Sequence, residues 1–420
     1  MHRERSGANA WLRGTWQLCE TPAVRERKRE TRRRLAHALR DHRLPAAWVD
    51  LDRFDRNLDD LLRRAGGTPM RVASKSLRCR ALIERVLERR GCEGVMCFTA
   101  AEAVHLSGTL DDLLVAYPTV EPHEVKAVLE RLVAGKTIVL TVDDLEQLEI
   151  LGALAREAGQ VLPLCLDVDM SLSLPKLHFG VRRSPIRTAA DALAIGKRVR
   201  SDPHLELVGV LGYEAQVAGL PDKTPRAAWN TMVRTLKRAS IRDLRKRRGA
   251  VVRALRREGH AIRFVNGGGT GSLESTRKDP SVTEVTAGSG LYVPALFDEY
   301  ESFEPVPAAG FALPVVRRPA KGMVTCLGGG YIASGSAGPD KLPQPFLPPG
   351  LTLLEQEGAG EVQTPLQGHA ADGLAIGDPV FFRHAKAGEL CERFATLHLI
   401  RGDSVVDVVP TYRGEGHCFL

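Results

Sequence analysis

Lys75 closes a short apolar run, Met70-Arg71-Val72-Ala73-Ser74-Lys75-Ser76, with a helix-patterned stretch (77–90) directly behind it. A lysine at the C-terminal end of a strand in a strand-then-helix unit points into the mouth of the sheet or barrel, where such folds place their chemistry. Desolvated there, its amine can lose a proton and attack an aldehyde to form a Schiff base. In open solvent the same lysine is only a solvated strand end. Two glycine-rich stretches carry the other half of a site: Val265-Asn266-Gly267-Gly268-Gly269-Thr270-Gly271-Ser272 and Thr283-Glu284-Val285-Thr286-Ala287-Gly288-Ser289-Gly290. Backbone N–H groups approach an anion closely only where side chains are absent, although each run alone also reads as a tight turn. Both follow predicted strands at the places where barrels hold phosphate. An amine and a phosphate cradle serving one ligand call for an aldehyde that carries a phosphate. Pyridoxal 5′-phosphate has both groups and acts as an electron sink at an amino acid's Cα.

The elements that must position these groups are regular. A strand (46–51) and a helix (53–64) end at Gly66-Gly67, and eight short apolar strands follow at 70–75, 94–98, 113–117, 137–142, 162–167, 207–213, 262–266 and 283–287. Helix-patterned stretches lie between them, the longest within 226–258. Continuous apolar strands alternating with helices predict a parallel sheet covered on its outer face, and eight such units predict closure. The fold class is therefore α/β: a TIM-type (β/α)8 barrel (45–307) with a C-terminal all-β domain (308–420). Pro305, Pro307, Pro314 and Pro319 mark the change of texture, and short β-rich runs follow at 322–327, 351–354, 379–383, 395–400 and 404–409. The strand at 46–51 belongs to the β domain or lies alongside it.

The remaining residues, 1–44, read as a basic helical arm. Residues 1–45 hold 12 Lys/Arg against 5 Asp/Glu, a balance of +7 within a whole-chain formal charge of +8, so the rest is close to neutral. With no interleaved aromatics, the arm predicts a solvated or subunit-packing helix from Thr21-Pro22 to about Arg40, and no nucleic-acid partner. The cluster Arg242, Arg245, Lys246, Arg247 and Arg248 likewise predicts the solvated face of the long helix. No apolar run reaches the roughly 20 residues that span a bilayer, and Arg3, Arg5 and Arg13 interrupt any signal-type core, so no membrane partner is expected. Eight scattered cysteines without a Cys-x-x-Cys pair predict buried free thiols in a reducing cytoplasm.

Pro45-Ala46-Ala47-Trp48-Val49-Asp50-Leu51-Asp52, followed by Asn57, resembles the opening of fold-type III pyridoxal-phosphate enzymes with an alanine-racemase-like barrel. Arg71 to Lys75, Gly212-Tyr213-Glu214, Gly267-Gly268-Gly269-Thr270-Gly271 and Thr283-Glu284-Val285 with Gly288-Ser289 resemble the D-threonine aldolase and D-serine dehydratase branch of that group. The likeness runs from about Pro45 to the C-terminus. It implies Lys75 as the Schiff-base lysine, with Gly268, Gly269, Thr270, Gly288 and Ser289 around the phosphate. It also implies a head-to-tail homodimer in which the β domain of one subunit closes the site of the other. Tyr213 and Gln216, just past the sixth strand, are expected beside the cofactor.

The chain departs from the branch in several places. Ala73 and Leu77 stand where the branch has histidines two residues before and after its lysine, and Ala215-Gln216 replaces Gly-His. His178 stands where racemase-like members place an arginine after the fifth strand. In the branch, a His-x-Cys or His-x-Asp pair in the β domain binds a divalent metal. Here His384 is present but Lys386 occupies the second position, and Glu357-Gly358-Ala359-Gly360 replaces the accompanying acidic-then-histidine element. His384 is either part of a metal site completed by Glu389, Cys391, His417 or Cys418, or a metal-free polar group.

Together these features predict a pyridoxal-phosphate-dependent lyase, an aldolase or a dehydratase, acting on a small D-configured β-hydroxy amino acid. Lys75 is the expected base at the α-carbon, with His384 and His178 as candidates for the hydroxyl base. The alternatives are a racemase or epimerase using Lys75 and a tyrosine such as Tyr331, and a non-catalytic carrier of the cofactor. Such carriers resemble the barrel alone, so the added β domain counts against the last.

Overall fold

The computed structural model describes residues 21–301, 303–304 and 306–420, so the first 20 residues of the basic arm, with Cys19, lie outside the described residues. Eight parallel strands close on themselves: Met70–Ala73, Cys92–Cys97, Leu113–Val115, Ile138–Val142, Leu162–Asp167, Leu205–Gly212, Phe264–Gly267 and Glu284–Ala287. The last returns to the first, with Val285 opposite Met70 and Ala287 opposite Val72. Each corresponds to one predicted stave, displaced by at most a few residues at either end.

Strand alternation sorts the apolar side chains into two cores. Met70, Val95, Leu113, Leu140 and Leu164 face the surrounding helices, whereas Leu114, Val139, Cys165, Val208 and Leu211 fill the barrel interior. A buried cation must be paired, and near the N-terminal ends of the strands Arg71 is clamped by Glu284 at 2.8 Å and Asp112 at 3.1 Å. Asn266 donates to Glu284 and to Thr286, both at 2.8 Å. That polar floor closes one end, and the C-terminal mouth is left for a ligand.

The strand Ala46–Asp50 lies in the nine-stranded sheet of the β domain, antiparallel to Ala309–Arg317 and parallel to Thr396–Arg401. Three strands of that domain escape a reading in which proline breaks strands. These are Ala309–Arg317 with Pro314, Gln344–Leu347 with Pro345 and Gln363–Gln367 with Pro365. Pro314 falls where its strand changes partner, since Phe311 to Pro314 pair with the 379–382 strand and Val315 and Arg317 pair with Cys326 and Thr325.

The helix Pro22–Ala38 is capped by Thr21 as predicted, but it is not solvated all round. Leu35, fully buried, packs with Trp48 and Phe381 of the β domain. The seven described cysteines are all free, six buried and Cys418 exposed. Among the described residues no helix is long and apolar enough to cross a membrane.

Candidate active site

The first barrel strand stops at Ala73, and a single 3-10 turn, Ser74–Ser76, carries Lys75 over the mouth. The helix predicted directly behind Lys75 starts only at Arg80, because Arg78 takes a left-handed φ of 49° and Cys79 is extended; neither conformation continues a right-handed helix. Ser74 Oγ donates to the Met96 carbonyl at 2.9 Å, and Arg78 reaches back to the Lys75 carbonyl at 3.3 Å. Beside this turn Glu102, fully buried, accepts from the Phe98 N–H and the Tyr412 hydroxyl, both at 2.7 Å. Burial pushes its carboxyl up to about 7.

Lys75 Nζ donates to Tyr117 Oη at 3.0 Å and lies 5.4 Å from that ring's centroid. Arg183 donates to the same oxygen at 3.3 Å, and its guanidinium covers the Tyr117 and Tyr213 rings at 5.0 and 5.2 Å. Burial would raise the Tyr117 phenol, but Lys75 and Arg183 outweigh it and hold the group below its ordinary value. Tyr213 is instead pushed up to about 12 by burial. Sequence reasoning passes over both Tyr117 and Arg183. Tyr117 carries one usable signal, its place at the end of the third predicted stave; Arg183 follows the hairpin of Leu172–Leu174 and Leu177–Phe179 and carries none.

The two glycine stretches reach the same cavity as Lys75. It encloses about 200 Å³, and Tyr213, Gly268, Gly269, Thr270, Gly288 and Ser289 all line it. A Cβ on Gly288 would lie 2.7 Å from Ser76 Cβ and 2.8 Å from the Ala73 carbonyl oxygen, so only glycine fits between loop and turn. Ser76 and Ser289 hydroxyls meet at 3.1 Å, and the Gly290 N–H donates to Thr270 Oγ1 at 3.0 Å, binding the turn and both loops into one unit.

Behind the first loop, Glu214 accepts from the Gly268 N–H at 3.1 Å and pairs with Arg248 at 3.1 Å. Arg248 also reaches the Gly212 carbonyl at 2.8 Å and Asp279 at 2.7 Å. Arg242 and Lys246 are exposed, as expected of the basic cluster, but Arg248 corrects that expectation: it is fully buried on the stripe of the helix Ala227–Arg257 that also carries Leu244, Val251 and Leu255. Arg245 and Arg247 turn inward as well, to the carbonyls of Ser275 at 2.7 Å and Asp169 at 2.6 Å.

Three expected neighbours of Lys75 stand elsewhere. Gln216 is buried behind the wall, donating to the Met170 carbonyl at 2.7 Å and to Ser240 Oγ at 2.6 Å. His178 sits in the hairpin opposite Ser173, outside the cavity lining. His384 lines an adjoining cleft between barrel and β domain, together with Arg78 and Tyr331. Burial and the neighbouring Arg383 push its imidazole down to about 3. Lys386, at the expected second-ligand position, donates to Ser334 Oγ at 3.1 Å. Among the described residues no group of three or more His, Cys, Asp or Glu converges as a metal site. Tyr331 packs edge-on against Phe311 and Phe394 at 5.0 and 5.4 Å.

Asp167 ends the fifth strand, two residues beyond Cys165 and therefore on the same interior side. It is 1% exposed and neither carboxylate oxygen has a hydrogen-bond partner. Burial, partly opposed by Arg183 and reinforced by Asp143 and Asp169, pushes its carboxyl up to about 7. Between the ordinary aspartate value of about 4 and that raised value the folded chain holds a proton the unfolded chain has released, so stability falls as pH rises through this window. Urea unfolding across it is expected to show a shallower decline in Asp167→Asn than in the wild type; parallel curves would remove Asp167 as the source.

A family model described as "Alanine racemase, N-terminal domain" matches residues 49–295. The chain is 26% identical over 254 residues to 3-hydroxy-D-aspartate aldolase of Paracoccus denitrificans (strain Pd 1222), a match covering 60% of each chain. It is 24% identical over 314 residues to D-threonine aldolase of Arthrobacter sp., covering 73% of this chain and 76% of the relative. The chain thus spans about 60% of the length of the first of these curated relatives. Among solved structures, D-threonine aldolase from Filomicrobium marinum superposes with a TM-score of 0.75 at 20% identity, covering 89% of this chain and 96% of the other. D-threo-3-hydroxyaspartate dehydratase from Delftia sp. HT23 follows at 0.71 and 21%, covering 88% and 97%. At such identities these two likenesses speak for the fold.

Proposed function

The chain belongs to the alanine racemase N-terminal domain family, and from that premise we propose that it is a pyridoxal-phosphate-dependent lyase, an aldolase or a dehydratase, acting on a small D-configured β-hydroxy amino acid. The observation that carries this reading is the single cavity shared by Lys75 and the two glycine loops. The residues present fit the cofactor. A Cβ on Gly269 would lie 2.9 Å from Ala218 Cβ, and one on Gly288 would fill the space beside Ser76, so both loops keep backbone open to a phosphate. Gly268, Gly269, Thr270, Gly288 and Ser289 would hold that phosphate, and Lys75 the aldehyde end. When bound, pyridoxal phosphate supplies that aldehyde and a conjugated ring that takes up the electron pair of a bond broken at an amino acid's Cα. Lys75, on its turn at the mouth, would hold or return the proton at that carbon. Met96, Phe98, Leu211 and Phe297 wall the cavity and limit water around it. The names of the curated relatives, 3-hydroxy-D-aspartate aldolase and D-threonine aldolase, support the reaction class.

The reading is tested by incubating the protein, supplied with cofactor, with single stereoisomers of D-threonine and 3-hydroxy-D-aspartate. Release of an aldehyde, or of ammonia with a keto acid, is expected. Conversion to the mirror-image amino acid with neither product would make it a racemase instead. The cradle has its own test. Gly288→Ala is expected to weaken pyridoxal phosphate binding about tenfold or more, since a Cβ must displace either Ser76 or the Ala73 backbone. An unchanged affinity in a spectrophotometric titration would take the phosphate away from this loop.

A further inference from the structure

We propose that Tyr117 is the proton acceptor for the substrate's β-hydroxyl in retro-aldol cleavage, an inference that rests on the aldolase form of the lyase reading above. A retro-aldol cleavage at the β-carbon needs a group besides Lys75 to take up the hydroxyl proton, and the cavity narrows the choice. Its lining contains no carboxylate and no imidazole among the described residues. The titratable groups left are Tyr117, Tyr213 and Cys97. Burial pushes the Cys97 thiol well up and Tyr213 up to about 12, so neither loses its proton readily.

Tyr117 differs because of what faces its oxygen. Lys75 Nζ and Arg183 Nη2 both donate to it, at 3.0 and 3.3 Å, and a phenol that accepts two bonds from cations is stabilised as phenolate. The charged and titratable groups around it are Lys75 on the turn, Arg183 after the hairpin and Tyr213 after the sixth strand. The chain holds six tyrosines. Burial raises Tyr213, Tyr292, Tyr300, Tyr331 and Tyr412, and Tyr117 alone is lowered. Arg183 donates to the same oxygen independently of Lys75, so the phenolate keeps one guanidinium partner when the Lys75 amine is engaged by the cofactor. In the transfer the β-hydroxyl O–H bond breaks, its proton forms the Tyr117 O–H, and the electron pair stays on the substrate oxygen. The guanidinium that stabilised the phenolate then faces the negative charge developing on that oxygen.

Two measurements test this. In the cofactor-free full chain, a near-ultraviolet phenolate titration is expected to show one tyrosine ionising below the ordinary value of about 10. That phase should vanish in Tyr117→Phe and move upward in Arg183→Gln. In the cofactor-loaded protein, with D-threonine or 3-hydroxy-D-aspartate as the probe, Tyr117→Phe should keep the visible cofactor band and lose about 10²- to 10⁴-fold in kcat. The rise of kcat with pH that tracks the early phenol should disappear with it. A Tyr117→Phe protein with the wild-type kcat and pH profile, or a wild type lacking the early phenol, overturns the proposal. If the wild type forms no cofactor band, the lyase reading fails and takes this role with it. A good band with an inert Tyr117 removes this role alone.

Discussion

Lys75→Ala is expected to lose turnover by roughly 10⁴-fold or more and to lose the visible cofactor band altogether. Among the described residues no other lysine lines the cavity, so no neighbouring amine there stands ready to replace it. The fold should barely register the change. Lys75 is exposed on its turn, and among the described residues its side chain makes one hydrogen bond, to Tyr117. Surface changes of this kind usually move stability by no more than about 0.5 kcal/mol. Lys75→Arg makes the complementary point, because it keeps the positive charge beside Tyr117 while removing an amine able to condense with an aldehyde. Absorption spectra, kcat and thermal melting read these effects separately. A visible band that survives in Lys75→Ala would mean that the aldehyde is held by some other amine.

The second large effect is on stability. Arg248→Met is expected to cost about 3–5 kcal/mol, because removing one partner of a buried ion pair leaves the others buried and unpaired. Here two carboxylates would be stranded, Glu214 and Asp279, each with a side chain only 1% exposed. The damage should also reach the ligand, since Glu214 is the group that holds the Gly268 N–H in place. Urea unfolding of the cofactor-free protein should therefore show a much lower midpoint, and cofactor affinity should fall in parallel. A loss below about 1 kcal/mol, the usual range for exposed ion pairs, would mean that the network contributes little.

The barrel was legible because each stave is a short apolar run set between helical patterns, and hydrophobic patterning survives without knowledge of partners. Lys75 and the glycine stretches were legible because their residue types carry meaning at strand ends. Tyr117 and Arg183 were not, since their significance lies in meeting across 66 positions of chain. No local pattern encodes that. Arg248 was misjudged for the opposite reason: its charge spoke for solvent while its place on the apolar stripe spoke for the core. The stripe prevailed because Glu214 and Asp279 were waiting there. His384 and Gln216 were assigned by position relative to motifs, but which of two adjoining hollows a side chain enters depends on the packing of the β domain. The prolines at 314, 345 and 365 hid strands for a simpler reason, since a missing N–H matters only where a partner strand needs it.

The placement of Ala46–Asp50 between Ala309–Arg317 and Thr396–Arg401 has a consequence for how the molecule is assembled. Topologically the barrel is an insert, spliced into a sheet whose earliest strand leaves the ribosome long before its neighbours. Trp48 and Val49, fully buried in the finished protein, must wait uncovered until the far end of the chain arrives. Such distant pairing is slow and exposes sticky surface meanwhile. Cutting the gene after the last barrel strand would leave that segment permanently bare, so a barrel produced alone is expected to aggregate.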